Sequence, residues 1–187
     1  MRKLVFQMLV SVDGYVAGPN GEFDWHVVDD DFTDYIDRTL RSIDTILVGR
    51  VTYQGLAQYW PTATEPEAPL MNALPKVVFS RTLARTDWTN SRVATRDVAD
   101  EVGALKEASG QDLALFGSPQ LASTFVRLDL IDEYHLLVVP IILGAGKPLF
   151  AGLEQRTELT LTNTEAFRSG TVCHYYAPTE RLATAGR

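Results

Sequence analysis

Leu113-Ala114-Leu115-Phe116-Gly117-Ser118-Pro119-Gln120-Leu121 reads as a buried strand that runs straight into a helix. Gly117 permits the turn, Ser118 suits the N-cap, and Pro119 suits the first helical position, where its missing N–H would have had no partner. A helix that starts at the end of a strand turns backbone N–H groups and the positive end of its dipole towards a crevice, a setting that suits a phosphate. An ordinary tight turn has the same local signature, because strand–glycine–helix junctions recur throughout α/β folds. The rest of the chain has to decide between the two.

The chain's 187 residues suit one domain with a single sizeable core, and 45% apolar with 22% charged residues is ordinary for a globular protein. A formal net charge of -7 argues against a nucleic-acid or anionic-membrane surface, so an anionic ligand has to be held by local groups. The single cysteine, Cys173, excludes an internal disulfide and a Cys-x-x-Cys metal pair, which fits a reducing compartment. Met1-Arg2-Lys3 before the apolar run from Leu4 to Val10 has the outline of a signal peptide, but Gln7 and Ser11 interrupt the run and Asp13-Gly14 ends it. No apolar run reaches the roughly 18 residues that a membrane span needs. The expectation is a cytoplasmic protein with no membrane or nucleic-acid partner.

Residues 3 to 12 are apolar on both alternating sets, as in a central strand covered on both faces. Gly14 to Gly21 is a glycine-punctuated loop of the kind that covers sites. Trp25, after it, either walls a pocket or plugs the core. Asp29-Asp30-Asp31 introduces a helix with Phe32, Ile36, Leu40 and Ile43 on one face. N-terminal capping accounts for all three acids, and Asp31 or Asp34 is the candidate to point into a cleft as well.

Thr45-Ile46-Leu47-Val48-Gly49 is a second short buried strand, and Arg50-Val51-Thr52-Tyr53 starts another helix. A glycine, an arginine and a hydroxyl within four residues of a strand end suit phosphate recognition. The bland alternative gives Arg50 a surface ion pair and makes Thr52 an N-cap. Residues 59 to 75 read as a proline-rich surface connection with one helical turn near Leu70-Met71-Asn72. A third strand, Pro75 to Ser80, again ends in a hydroxyl and an arginine, Ser80-Arg81-Thr82. Three such ends converging on one sheet edge would make a site that none forms alone.

Residues 91 to 95 read as a short edge strand, and Asp97 caps a helix that stops near Ser109-Gly110. After the Gly117 junction, Leu121, Phe125 and Leu128 mark one helix face. Alternating strands and helices of this kind build βαβ units around a mainly parallel sheet. The last third differs: a long apolar strand from His135 to Gly144 carries Pro140, which suggests a bulge or an edge position. Residues 158 to 167 and 171 to 176 then alternate across Arg168-Ser169-Gly170 as an antiparallel hairpin. The domain is expected to span 1–177, with a polar, frayed tail over 178–187.

The familiar catalytic motifs are missing. No Gly-x-Gly-x-x-Gly opens a helix, Gly146-Lys147 lacks the rest of a Walker loop, and no Gly-x-Ser-x-Gly elbow is present. His26, His135 and His174 have no metal-ligand spacing, and no metal site is expected. Several anion-holding strand ends without a nucleophile or metal set suit chemistry carried by a phosphate-bearing cofactor.

Taken in order, five stretches resemble the dihydrofolate reductase-like family, in the branch related to the C-terminal reductase domain of riboflavin biosynthesis. They are Ser11 to Ala17, Leu47 to Tyr53, Lys76 to Leu83, Phe116 to Leu121, and Leu130 to Tyr134 with Pro140 to Phe150. The resemblance implies a three-layer α/β fold whose mixed, mostly parallel sheet of about eight strands ends in an antiparallel C-terminal hairpin. It implies an NADPH-dependent oxidoreductase, with NADPH across the strand ends. Gly49, Arg50 and Thr52 match the segment that meets the cofactor phosphates. Ser80, Arg81 and Thr82 match the segment along the adenosine and its 2′-phosphate. Gly117, Ser118, Gln120 and Leu121 match the turn that holds the pyrophosphate, and Ala17 the loop beside the nicotinamide. Asp31 is the candidate acid and Trp25 the candidate wall of a cleft for a small heterocyclic or carbonyl-containing substrate. A homodimer is also implied. The alternatives are a non-catalytic NADP-binding sensor or interaction module, and a structural role with the 136–150 segment as a subunit interface.

Overall fold

In the computed structural model of the chain, residues 1–179 are described. Strand β1 (Leu4–Ser11) is buried along all eight residues. Its side chains alternate between two cores, as the two-residue period of a strand requires: Leu4, Phe6, Met8 and Val10 join one cluster and Leu9 another. After β2 (Tyr15–Ala17) come α1 (Asp30–Ser42), β3 (Ile43–Gly49), α2 (Arg50–Tyr59), α3 (Ala68–Ala73), β4 (Lys76–Phe79) and β5 (Ser91–Val93). The chain continues through α4 (Val98–Glu107), β6 (Asp112–Phe116), α5 (Pro119–Arg127), β7 (Glu133–Val139), β8 (Lys147–Pro148), β9 (Leu159–Ala166) and β10 (Val172–Pro178).

The main sheet has eight strands in the order β5-β4-β3-β6-β1-β7-β10-β9. Its pairings are parallel from β5 to β7, then antiparallel for β7 with β10 and β10 with β9. This is the mixed sheet with an antiparallel C-terminal hairpin that the sequence implies. Helices α4 and α5 cover one face: Val102 and Phe125 pack with Leu113, Leu115 and Phe6. On the other face, Leu40, Tyr53 and Met71 from α1, α2 and α3 pack with Ile46, Val48 and Val78. Each fully buried side chain of this size contributes about 1.5–3 kcal/mol.

Several local expectations are corrected. Strand β7 neither bulges nor lies at an edge; it ends at Val139, and Pro140, which cannot donate to a ladder, stands just beyond it. The helical turn expected near Leu70-Met71-Asn72 is present, but the 59–75 connection around it is more ordered than a surface loop. It forms a 3₁₀ turn at Trp60–Thr62 and then α3, whose Ala68 and Met71 are buried. Tyr15–Ala17 is a strand, paired with Lys147–Pro148 in a small second sheet. Asp97 and Ser118 occupy N-cap positions without side-chain capping bonds, and Ser118 is left-handed at φ 57. Pro178 belongs to β10, opposite Leu159, and the Thr179 N–H donates to Glu158 O at 3.0 Å, so these two residues are not tail. The remainder of the expected tail, 180–187, lies outside the described residues.

Candidate functional site

The C-terminal ends of the parallel strands form a step. Gln7 pairs with Phe116, the last residue of β6, whereas β1 runs on beside β7 as far as Ser11 and Val139. On the other side of β6, β3 ends at Gly49 opposite Phe79, the last residue of β4, and Val78 pairs with Val93 at the end of β5. The register therefore brings the segments beginning at Gly49, Ser80 and Gly117 onto one edge, as their separate sequence signatures suggested.

Two of these segments interlock. A Cβ added at Gly49 would fall 2.2 Å from Ser118 Oγ and 2.9 Å from its Cβ, and 3.9 Å from Leu121 Cβ. A Cβ at Gly117 would fall 2.9 Å from Thr52 Cγ2, and Gly117 itself lies at φ 64. The two glycines let the β3–α2 and β6–α5 junctions approach so closely that two helix N-termini open side by side. Pro119 sits in the first turn of α5, and Gly49 holds the N-cap position of α2 with no side chain to occupy the N–H groups. Thr52 is therefore not the N-cap; it packs against Gly117 from the first turn of α2. Arg50 is exposed and takes no carboxylate among the described residues, its Nη1 donating to Gln54 Oε1 at 3.0 Å. Gln120 is exposed in the first turn of α5. Paired helix N-termini beside a guanidinium suit an extended anion such as a pyrophosphate.

At the end of β4, Ser80 Oγ accepts from the N–H groups of Thr82 at 3.1 Å and Leu83 at 2.9 Å. Its hydroxyl closes the turn, and Arg81 and Thr82 stand exposed on that turn.

On the taller side of the step, Asp13 organises the loops. Its carboxylate accepts from Ser11 Oγ at 2.7 Å and from the N–H groups of Leu143 at 3.1 Å and Gly144 at 2.7 Å. The Ser11 bond and these N–H groups hold the Asp13 carboxyl below its ordinary range. A Cβ at Gly146 would fall 2.1 Å from Ala17 O, so the 144–148 segment closes directly over Ala17. Sequence reasoning took Asp13 only as a turn signal. The paired Ser11 and Asp13, which can bond each other and nearby N–H groups, were the available hint. Trp25 is half-buried, packs with Phe32 and Ile141 on the cluster of Leu9, Tyr35 and Val139, and donates from Nε1 to Glu22 O at 3.3 Å.

The three acids at the start of α1 are all engaged. Asp29 accepts from Phe32 N–H at 2.8 Å, as an N-cap, and from Ser169 N–H at 2.7 Å. Asp31 accepts from the Arg168 N–H at 2.7 Å and from its Nε at 3.1 Å, while Asp30 takes Arg168 Nη2 at 3.2 Å. The Arg168 guanidinium holds the Asp31 carboxyl below its ordinary range, the opposite of what a proton donor near neutral pH needs. Asp31 thus clasps the β9–β10 turn rather than standing free in a cleft, and Asp34 is exposed on α1. Below them, Tyr35 Oη meets His135 Nδ1 at 2.9 Å and His135 Nε2 meets Glu133 Oε1 at 2.8 Å. His174 Nδ1 lies 2.9 Å from Tyr176 Oη. Among the described residues no group of acids, histidines or cysteine is arranged to hold a metal ion, and no helix is long and apolar enough to cross a membrane.

Residues 2–173 match the family of the RibD C-terminal domain. An uncharacterised protein of Bacillus subtilis, YyaP, is 39% identical over 179 residues, which take in 91% of this chain and 92% of that protein. Among solved structures, a putative riboflavin biosynthesis protein from Shewanella shares the fold with a TM-score of 0.78 at 24% identity, over 96% of this chain and 99% of that one. A dihydrofolate reductase from Enterococcus faecalis, complexed with NADP(H), has a TM-score of 0.64 at 13% identity, over 95% of this chain and 96% of that one.

Proposed function

Because the chain belongs to the RibD C-terminal domain family, we propose that it is an NADPH-dependent reductase acting on a small heterocyclic or carbonyl-containing substrate. The observation that carries this reading is the interlock of Gly49 with Ser118 and of Gly117 with Thr52, a cradle that any Cβ would fill. Arg50 and the N–H groups that open α2 and α5 hold the pyrophosphate, with Gln120 and Leu121 beside it. Ser80, Arg81 and Thr82 lie along the adenosine, and Ala17 lies beside the nicotinamide. When bound, the dinucleotide supplies the hydride. The chain itself contributes position: the step between β6 and β1 sets donor against acceptor, and the Asp13-pinned loop lies over Ala17. Orientation of this kind accounts for a large share of a hydride-transfer barrier. With Asp31 bound to Arg168, protonation of the product falls to water.

Titration of the purified protein with NADPH and NADH, followed by nicotinamide fluorescence, tests the reading. Micromolar NADPH binding is expected; binding of neither dinucleotide overturns it. A second reading, an NADP-binding sensor without turnover, is favoured by the engagement of all three acids at the start of α1. Loss of NADPH absorbance with any member of a panel of heterocyclic and carbonyl compounds decides for the reductase.

A further inference from the structure

Strand β1 is apolar from Leu4 to Val10 except at Gln7, and Gln7 is only 9% exposed. Its carboxamide makes no hydrogen bond among the described residues, whereas the buried Ser11, Thr45 and Lys76 side chains all find partners. The polar side-chain atoms sealed from solvent without a partner, among the described residues, are His26 Nδ1, Trp60 Nε1 and Ser169 Oγ. The Gln7 amide is not one of them, so both its polar atoms keep an opening to the outside. An apolar side chain of the same length would fill this place without stripping an amide of water for no bond in return.

The register places that opening. Gln7 stands between Phe116 on β6 and His135 on β7. Phe116 packs in the cluster of Leu40 and Tyr53, and His135 bonds to Tyr35 of α1, so all three face the α1–α2 side of the sheet. Phe116 ends β6, and the chain then turns away at Gly117. Strand β1 runs on to Leu9, which packs in the cluster covered by Phe32 and Trp25. The amide therefore forms the floor of the step, between the Gly117 and Ser118 cradle and the wall made by Leu9 and Trp25.

A carboxamide offers an acceptor oxygen and donor hydrogens in one plane and carries no charge. Its complement is an N–H beside a C=O, the edge of a lactam: the lactam N–H donates to Oε1 while Nε2 donates to the lactam oxygen. We infer that Gln7 reads a lactam edge on an uncharged heterocycle and is the residue that determines substrate specificity. This rests on the reductase reading above and deepens it by naming the substrate class. The nicotinamide carboxamide of the dinucleotide has the same chemistry. The substrate is assigned because Gln7 stands on β1, to the α1 side of the cradle between β3 and β6.

The test is calorimetry on the protein saturated with NADP+, which permits binding without turnover. The probes are two matched pairs, quinoxalinone and pyrimidinone with their N-methyl counterparts, which keep the C=O and lose the N–H. Wild type is expected to bind each lactam about ten-fold or more tightly than its N-methyl counterpart, because a site built for a polar contact rejects the analogue that lacks it. Gln7→Met keeps the length and removes the amide. It is expected to weaken the lactams by about ten-fold or more, to bring both members of each pair within about two-fold of each other, and to leave NADPH affinity unchanged. Its urea midpoint is expected to rise, since the amide has no partner to lose, whereas removal of a structural glutamine would lower it. Gln7→Leu is a second variant with the same expectations. Unchanged lactam binding in either folded variant overturns the inference. Weakening of NADPH in step with the lactams puts the amide against the nicotinamide and overturns the substrate assignment. A wild type that binds NADPH but takes none of the probes, or does not tell the pairs apart, overturns the inference alone. A wild type that binds no dinucleotide overturns the reductase reading and this inference with it.

Discussion

At the scale of single residues, Lys76 shows how burial sets a charge. Its side chain is 1% exposed at the start of β4. Nζ donates to Asn72 O at 2.9 Å and Thr89 O at 3.2 Å and stands 4.0 Å above the Trp88 ring centre. Carbonyls and a ring face solvate an ammonium less well than water does, and burial pushes its pKa from 10.5 down to about 8. Between those values the unfolded chain holds a proton that the folded one has shed, so this group adds stability as pH rises through the window and adds none below it. Cys173, pushed up to about 12 by burial, pulls the other way above its ordinary value. The difference between proteins therefore isolates Lys76: in urea unfolding, wild type should gain stability relative to Lys76→Met as pH goes from about 8 to about 10. A constant difference would mean that Lys76 titrates as in water. The sequence shows Lys76 only as a residue near the start of a strand; its burial comes from Trp88 and α3, which the chain folds over it.

At the scale of elements, glycines separate a packed junction from a plain helix interior. Gly103 lies inside α4 with nothing within 4 Å of an added Cβ, whereas Gly117 combines φ 64 with a contact to Thr52 at 2.9 Å. Gly103→Ala should raise stability by about 0.5–1 kcal/mol by removing unfolded-state freedom. Gly117→Ala should lower it by about 1–3 kcal/mol and weaken NADPH binding as well. Denaturant midpoints and the NADPH titration check both, and a Gly117→Ala protein that matches wild type would sink the cradle. The turn, the hydroxyls and Pro119 were legible because they are local chemistry. That Gly49 meets Ser118 was not, because it depends on β3 and β6 lying side by side in register. The clasp of Asp29, Asp30 and Asp31 on Arg168 and Ser169 is of the same kind. Capping was readable from the three acids, but their partner is about 140 residues away.

At the scale of the whole molecule, Cys173 reports on global opening. It is fully buried on β10, in the cluster with Tyr35, Leu137 and Phe167, so strand, hairpin and α1 must separate before a reagent reaches it. Thiol labelling of the native protein should run at least about a hundred-fold slower than that of the unfolded chain and speed up with denaturant in step with loss of structure. Labelling at the unfolded rate under native conditions would show that the hairpin opens by itself. By itself the sequence determined the strands of the main sheet, the helices and the residue types at each strand end, because apolar period, turn residues and caps act over a few residues; the β2–β8 pair was not legible in it. It also determined the family, through the order of five short motifs. Only the tertiary structure decided the order β5-β4-β3-β6-β1-β7-β10-β9, the step between β6 and β1, the fate of Asp31 and the setting of the Gln7 amide. Each of these depends on which distant segments share a register, and that choice is made by packing two faces of one sheet at once, an energy with no counterpart in any local stretch of chain.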